Sequence, residues 1–92
     1  MNLGTFTKQP VEVKDYDLDY SEWLVAADTV EAAEVTVEPS GLTVGSVFTQ
    51  DKKIKVWLSA GTNGTVYKLT VTMTTADGRV KQDEFKVKVK DT

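Results

Sequence analysis

The sequence contains no cysteine and no histidine, and these absences remove most of the side-chain chemistry that small enzymes use. Without a thiol there is no cysteine nucleophile and no disulfide. Without an imidazole no Ser-His-Asp triad can form, and zinc sites built from cysteine or histidine are excluded. Only carboxylates, lysines and tyrosines are left as acid–base groups. We therefore predict a protein that is not an enzyme and uses no metal or other cofactor.

Long apolar runs are missing as well. No segment approaches the ~20 apolar residues of a membrane helix, and the start, MNLGTFTKQP, has neither the apolar core nor the cleavage pattern of a signal peptide. We expect no membrane partner, and the acidic balance of the chain disfavours a nucleic-acid partner. The 92 residues suffice for one small domain.

Charge is distributed unevenly along the chain. Residues 1–38 carry nine acidic residues and two lysines, a net charge of 2 − 9 = −7, whereas residues 39–92 carry nine basic and five acidic residues, 9 − 5 = +4. In the folded chain the acidic half can pair with the basic half. Alternatively, the two halves can form oppositely charged faces that bind copies of the same chain.

Alternation of apolar and polar residues predicts strands over most of the sequence. Segments 65–75 and 79–90 alternate in this way on either side of Asp77-Gly78, a strong tight-turn signal, and so predict a long hairpin. Val80 falls out of phase with Phe85, which predicts a bulge near Gln82.

The whole pattern predicts an all-β fold, an immunoglobulin-like β-sandwich of about six or seven antiparallel strands. Tyr67 follows a glycine turn at the start of a strand, as in the tyrosine corner of such folds. We expect an extended N-terminal arm over residues 1–14, a single domain over 15–92, and a short helical turn near Ser21–Leu24.

The stretch KDYDLDYSEWL places Asp15, Asp17 and Asp19 at every second position. A calcium loop is incomplete here, because Tyr20 replaces the required glycine. Carboxylates on one solvent face of a strand have no oriented substrate, which disfavours catalysis. A third interpretation pairs them with the outward lysines of the last strand, either within one chain or between neighbouring copies. Those lysines are Lys86, Lys88 and Lys90.

Trp57 lies between Val56 and Leu58 on a predicted strand. If these neighbours face the core, Trp57 is an outward contact residue of the kind enriched at interfaces. The alternative, in which Trp57 faces the core and the arm covers Val56, stays open.

Motifs spread over most of the chain form one pattern. The opening has Lys-x-Pro followed by Asp-Tyr-x-x-Asp-aromatic-Ser-x-Trp-Leu. The residues of the whole pattern are Phe6, Lys8, Pro10, Glu12, Asp15-Tyr16, Leu18-Asp19-Tyr20-Ser21, Trp23-Leu24, Asp28-Thr29-Val30, Pro39-Ser40-Gly41-Leu42-Thr43-Val44, Val56-Trp57-Leu58-Ser59-Ala60-Gly61-Thr62, Gly64-Thr65-x-Tyr67 and Thr74-Thr75-Ala76-Asp77-Gly78-Arg79. Together these stretches resemble the family of small tailed-phage fiber-tail adaptor proteins. Tyr20 departs from an expected Trp, and Ala60 from a common Gly.

The resemblance implies a non-enzymatic structural protein of the virion, made in the host cytoplasm and present in several copies at the tail, where it joins a fibre or spike to the tail. Its partners would be other tail or fibre proteins. The arm would order on a neighbouring subunit through Phe6, Lys8 and Pro10, and Trp57 would add a contact. A free-standing immunoglobulin-like module for carbohydrate or protein is the alternative. A small acidic enzyme or enzyme inhibitor is a third, for which no buried carboxylate is evident in the sequence.

Overall fold

A computed structural model describes residues 2–24 and 27–91. The outermost residues of the predicted arm and domain, Met1 and Thr92, therefore lie outside the description. The described residues form no helix and seven strands: β1 (Asn2–Lys8), β2 (Lys14–Asp19), β3 (Val30–Glu38), β4 (Leu42–Gln50), β5 (Lys53–Ala60), β6 (Val66–Thr75) and β7 (Val80–Val89). The predicted all-β class and the β6–β7 hairpin are confirmed.

The strands form two sheets. The four-stranded sheet has the order β1-β7-β6-β3 and the three-stranded sheet the order β2-β5-β4. The pair β1–β7 is parallel, whereas every other pair is antiparallel. The first and last strands of the chain therefore lie side by side, and β1, β3, β2 and β4 are the edges.

One apolar core lies between the two sheets, because alternate residues of each strand point to the same face. Strand β6 contributes one inward row and β7 another, while β5 supplies the centre of the opposite sheet. The fully buried apolar side chains, with no exposed surface, are Ile54, Val56, Leu58, Leu69, Val71, Met73, Phe85, Val87 and Val89.

The structure does not support a free N-terminal arm. Residues 2–8 are strand β1, and Phe6 pairs in register with Val87 of β7. The alternation of apolar and polar residues is weak in this segment. Gly4 and the threonines on both sides of Phe6 are neither strongly apolar nor charged, so they do not mark an inward and an outward face. The strand forms because its backbone N–H and C=O groups pair with those on the edge of β7.

Two smaller predictions are also corrected. Residues Ser21–Leu24 form a hydrogen-bonded turn, in which the Trp23 and Leu24 N–H groups both donate to the Tyr20 carbonyl, and not a helix. The β6–β7 register runs without a shift, so there is no bulge near Gln82. The inward-facing positions of β7 before Phe85 are instead occupied by two charged residues, Lys81 and Asp83. Their side chains form an ion pair at 2.7 Å.

Candidate partner-binding site

Lys8 ends strand β1 with its side chain fully buried. Its Nζ donates hydrogen bonds to the carbonyl oxygens of Gln9 at 2.8 Å, Ala60 at 2.6 Å and Pro10 at 3.4 Å. Three carbonyl acceptors match the three donors of an ammonium group, which is what a buried lysine requires. Burial lowers the pKa of Lys8, and the nearby Glu12 carboxylate opposes part of that shift. Lys8 thus ties the β1–β2 loop to the end of β5.

The other two residues predicted in the arm lie in different surroundings. The Phe6 ring bridges the sheets, with its centroid 5.1 Å from that of Tyr16 and 5.8 Å from that of Phe85. It is therefore part of the packing around the core. Pro10 is half-buried in the β1–β2 loop. The structure brings Lys8 and Pro10 together and leaves Phe6 on another part of β1.

The β1–β2 loop, which we call the valine loop (residues 9–13), is closed by its own hydrogen bonds. The Glu12 N–H donates to the Gln9 carbonyl at 3.1 Å, and the Gln9 N–H donates to the Glu12 carboxylate at 2.6 Å. On its outer side Val11 is 85% exposed and Val13 is 65% exposed. Two apolar side chains thus stand in solvent on a loop with a fixed conformation.

A second cluster at this end of the sandwich surrounds Tyr67. Its buried hydroxyl accepts a hydrogen bond from the Thr62 N–H at 2.9 Å, which fixes the loop before β6. Hydrogen bonds from Thr62 lower the pKa of Tyr67. Gly41 packs against this hydroxyl. A Cβ atom at position 41 would lie only 2.8 Å from the Tyr67 hydroxyl oxygen. The Tyr67 hydroxyl thus bonds to the backbone of the glycine turn that precedes its own strand.

The opposite end is held by Asp28, a residue that sequence reasoning quoted but gave no role. Its carboxylate is fully buried and accepts hydrogen bonds from the Thr29 N–H at 3.0 Å, the Asp77 N–H at 3.1 Å and the Arg79 guanidinium at 2.8 Å. Burial opposes ionisation of Asp28, but these donors outweigh it, so its pKa lies below the ordinary value. A lone aspartate before a strand gave no indication of these hydrogen bonds, since two of the three donors, on Asp77 and Arg79, are 49 and 51 residues away in the chain.

The aspartate row lies on the outer face of β2, at the edge of the three-stranded sheet. Its register partners are on β5: Asp17 faces Lys55 and Asp19 faces Lys53. The Lys55 ammonium is 3.5 Å from the Asp15 carboxylate. Asp19 also accepts a hydrogen bond from the Ser21 N–H, which lowers its pKa. Among the described residues no group of three acidic side chains is arranged to hold a metal ion.

The lysine row lies elsewhere. Lys86 and Lys88 are exposed on β7, in the four-stranded sheet, and Lys90 follows that strand. The predicted pairing of the two rows within one chain is not formed, because the rows occupy different sheets. With residues 1–14 predicted as an arm, the aspartates would lie on the first strand of the domain. The structure instead has β1 before them, and β1 takes the place beside β7.

Trp57 projects from the outer face of β5, since its neighbours Val56 and Leu58 are fully buried. It is itself half-buried. A second aromatic side chain on this sheet, Phe48 of β4, is 57% exposed and lies opposite Lys55 in the register. Sequence reasoning overlooked Phe48, although its alternation with Val47 and Thr49 was a usable signal.

No helix in the described part of the chain has the length and apolar character needed to cross a membrane.

Comparison with known proteins adds one finding to this geometry. The family described as podophage GP4 fiber-tail adaptor protein gp77 matches residues 8–88, which is most of the chain. The match includes Lys8, both ends of the sandwich and the charged rows up to Lys88. It confirms the resemblance drawn from the motifs. No curated protein matches the chain.

Proposed function

Since the chain belongs to the podophage GP4 fiber-tail adaptor family, we propose that it attaches a tail fibre or spike to the tail of a phage. The single observation that supports this function is the family match over residues 8–88. The family is one of structural adaptors and not an enzyme class. An adaptor acts by binding two neighbours at once, so we place its function in surfaces and not in a catalytic pocket.

Location and copy number follow as parts of the same proposal. The protein would be made in the host cytoplasm and would reside in the tail of the virion, in several copies. Repetition turns weak single contacts into firm attachment, because each bound copy raises the effective concentration of the next contact. Its partners would be other tail or fibre proteins, without nucleic acid or membrane.

We also infer that the two sheets form a single immunoglobulin-like domain that includes β1. With the strands lettered A to G in chain order, the three-stranded sheet reads B-E-D and the four-stranded sheet reads A-G-F-C. In constant-type immunoglobulin domains B, E and D share one sheet and C, F and G the other. The bond from the Thr62 N–H to the Tyr67 hydroxyl supports a tyrosine corner on strand F.

The adaptor role can be tested by locating the protein in purified virions. We expect gold-labelled antibody against a tag on this chain to mark the tail, and cross-linking with mass spectrometry to join the chain to both a tail and a fibre or spike subunit. A tagged capsid protein serves as the positional control. Label confined to the capsid, or virions that lack the protein, would contradict the proposed function.

The alternative function, a free-standing carbohydrate- or protein-binding module, is not favoured by the family match. It would use the aromatic side chains of the three-stranded sheet, Trp57 and Phe48. Titration of the isolated protein with a glycan panel, read by tryptophan fluorescence, separates the two functions. Saturable quenching that is lost in Trp57→Ala would support the module.

A further inference from the structure

We propose that the cleft between strands β1 and β2 receives the valine loop of a second copy of this chain, and that the contact is reciprocal, so that two copies form a closed dimer. The cleft, which we call the Phe6 cleft, is lined by Phe6, Asp17, Leu18, Asp19 and Tyr20. This inference deepens the proposed function and rests on it, because it identifies how neighbouring copies of the adaptor contact each other.

The Phe6 cleft opens where the edges of the two sheets face each other. Strand β1 ends one sheet and β2 ends the other, and the half-buried Phe6 ring reaches across to Tyr16. Leu18 and Tyr20 are buried and give the cleft an apolar floor. Its volume of about 160 Å³ is below the roughly 300–1,000 Å³ of pockets for drug-sized ligands. The cleft therefore suits one or two small apolar side chains.

The valine loop supplies side chains of that size. Val11 is 85% exposed and Val13 is 65% exposed, two residues apart. The hydrogen bonds of Lys8, Gln9 and Glu12 hold the loop in one conformation, so its insertion costs little conformational entropy. Insertion removes apolar surface of both the loop and the cleft from water.

The end of the molecule that carries the valine loop is also basic. Lys14 begins β2 beside the loop with 44% of its side chain exposed. Lys90 lies beside the start of the loop, because its N–H donates to the Lys8 carbonyl at 2.9 Å, and it has no ion pair within the described part of the chain. Glu12, the carboxylate between the valines, already accepts a hydrogen bond from a backbone N–H of the loop at 2.6 Å.

The rim of the Phe6 cleft is acidic. Asp17 and Asp19 are both exposed there. Asp17 lies opposite Lys55 in the register, but the Lys55 ammonium is 3.5 Å from Asp15, and Asp17 has no ion pair with any described residue. A basic loop end and an acidic cleft rim on one chain attract each other between copies. This complementarity, together with the matching apolar parts, identifies a second copy as the occupant of the cleft.

The valine loop and the Phe6 cleft lie at opposite ends of the same strand. Strand β2 runs from Lys14 beside the loop to Asp19 at the rim of the cleft. Two copies with their β2 strands side by side and antiparallel place each loop at the cleft of the other copy. Asp15, nearer the middle, already pairs with Lys55 of its own chain. Such a contact is isologous and closes after two copies, because each copy gives and receives the same surface.

Disulfide trapping between variants with one thiol each tests the contact, because the chain has no cysteine of its own. Purified Val13→Cys is mixed with Asp19→Cys that carries a longer tag, and the linked products are followed over time by mass spectrometry. Every disulfide then joins two chains, and it forms only where the two Cα atoms approach within about 7 Å. The Tm of each reduced variant shows that it is folded.

The matched control is a mixture of Asp19→Cys with Val80→Cys. Val80 is 66% exposed, as Val13 is 65% exposed, but it begins β7, whereas the valine loop lies beside the end of that strand. A further variant adds Val11→Asp to Val13→Cys, which places a carboxylate at the position that would enter the apolar cleft.

We expect the mixed product of Val13→Cys and Asp19→Cys to form at least about tenfold faster than the control product, because the contact raises the effective concentration of the two thiols. Addition of Val11→Asp should reduce the rate to that of the control without changing the Tm. Equal rates for the two mixtures, or a rate that Val11→Asp leaves unchanged, would overturn the contact between copies.

The reciprocal nature of the contact is tested by placing both thiols in one chain. The ends of β2 are about 16 Å apart, so these thiols do not pair within a chain. Oxidation of Val13→Cys/Asp19→Cys should give a product of two chains joined by two disulfides. Products of three or more chains would overturn the closed dimer, because a one-way contact adds further copies.

These outcomes are distinguishable from failure of the adaptor function. Failure of the disulfide trapping overturns the dimer and does not affect the result of gold labelling in virions. Absence of the wild-type protein from the tail overturns the adaptor function, whatever the isolated chains form.

Discussion

At the residue scale, this small domain is stabilised by a few buried polar side chains whose partners are distant in sequence. Lys8 reaches Ala60 across 52 residues and the Tyr67 hydroxyl fixes the loop before its own strand. Asp28 binds the β6–β7 turn. Each group is buried with its hydrogen bonds made, so removal of one partner leaves the other unsatisfied, which costs about 1–3 kcal/mol for a neutral group.

The contact between Gly41 and Tyr67 can be tested by two alanine substitutions. Gly41 has a φ of +127° and a Cβ there would lie 2.8 Å from the Tyr67 hydroxyl, whereas Gly64 has a φ of +85° and open space around it. We expect Gly64→Ala to cost about 1–2 kcal/mol of unfolding free energy from backbone strain alone. Gly41→Ala should cost more than about 3 kcal/mol, because strain and a steric clash add.

Urea unfolding of both variants measures this difference. Equal losses of stability would show that the tyrosine hydroxyl can move away freely, and that the Thr62 hydrogen bond does not fix it.

The second residue-scale prediction concerns acid stability through Asp28. Its folded pKa lies below the ordinary value of 3.8, so the stability it contributes is complete above pH 3.8 and is lost as the pH falls through the folded pKa. Asp28→Asn should lower the Tm by several degrees at neutral pH and should flatten the loss of stability below pH 3.8.

Thermal unfolding monitored by circular dichroism between neutral pH and strong acid tests this expectation. The exposed Asp17→Asn is the control and should leave the Tm at neutral pH unchanged. A Tm profile of Asp28→Asn that runs parallel to wild type in acid would exclude Asp28 as the group responsible.

At the element scale, β1 illustrates why strand edges are difficult to predict from sequence. Its residues have little periodicity, yet β7 leaves a row of N–H and C=O groups unpaired without it. The interior strands β5, β6 and β7 were predictable, because core residues alternate along them. Edge strands have only one hydrogen-bonded neighbour, and their sequences are correspondingly less constrained.

Deletion of residues 2–8 tests whether β1 is part of the domain. A free arm could be removed without effect, but β1 covers the edge of β7 and carries the Phe6 ring and the Lys8 anchor. We expect the truncated chain to lose several kcal/mol, which is most of the stability, since domains of this kind have about 5–15 kcal/mol in total.

The measurement is a urea unfolding curve together with a one-dimensional NMR spectrum. A matched control, Thr5→Ala/Thr7→Ala, changes only exposed side chains of the same strand and should unfold like wild type. A well-dispersed spectrum and unchanged unfolding midpoint for the truncated protein would restore the free arm.

At the scale of the whole molecule, the uneven charge of the sequence is distributed over two sheet faces and two ends. Asp17 lies on the outer face of the three-stranded sheet and Lys88 on that of the four-stranded sheet, with the core between them. Stacked sheets are about 10 Å apart, so these side chains point away from each other. Pairing of the rows between neighbouring copies, the other interpretation that the sequence left open, stays a prediction.

A double-mutant cycle measures whether the two rows interact within one chain. We expect Asp17→Lys and Lys88→Asp to be additive in unfolding free energy within about 0.5 kcal/mol. Asp15→Lys with Lys55→Asp is the positive control, since this exposed pair lies at 3.5 Å and should couple by a few tenths of a kcal/mol. A larger coupling between positions 17 and 88 would require the two rows to be close in the isolated protein.

The sequence by itself determined the class of the fold, the interior hairpin, the absence of thiol and imidazole chemistry, and the family motifs. These properties follow from local alternation, turn residues and composition. Only the tertiary structure decided that Asn2–Lys8 is a strand, that the aspartate row faces β5, and that Lys8 is buried under the valine loop. The physical reason is that strand partners and buried polar pairs join residues far apart in the chain, and a local pattern does not specify which edge lies beside which.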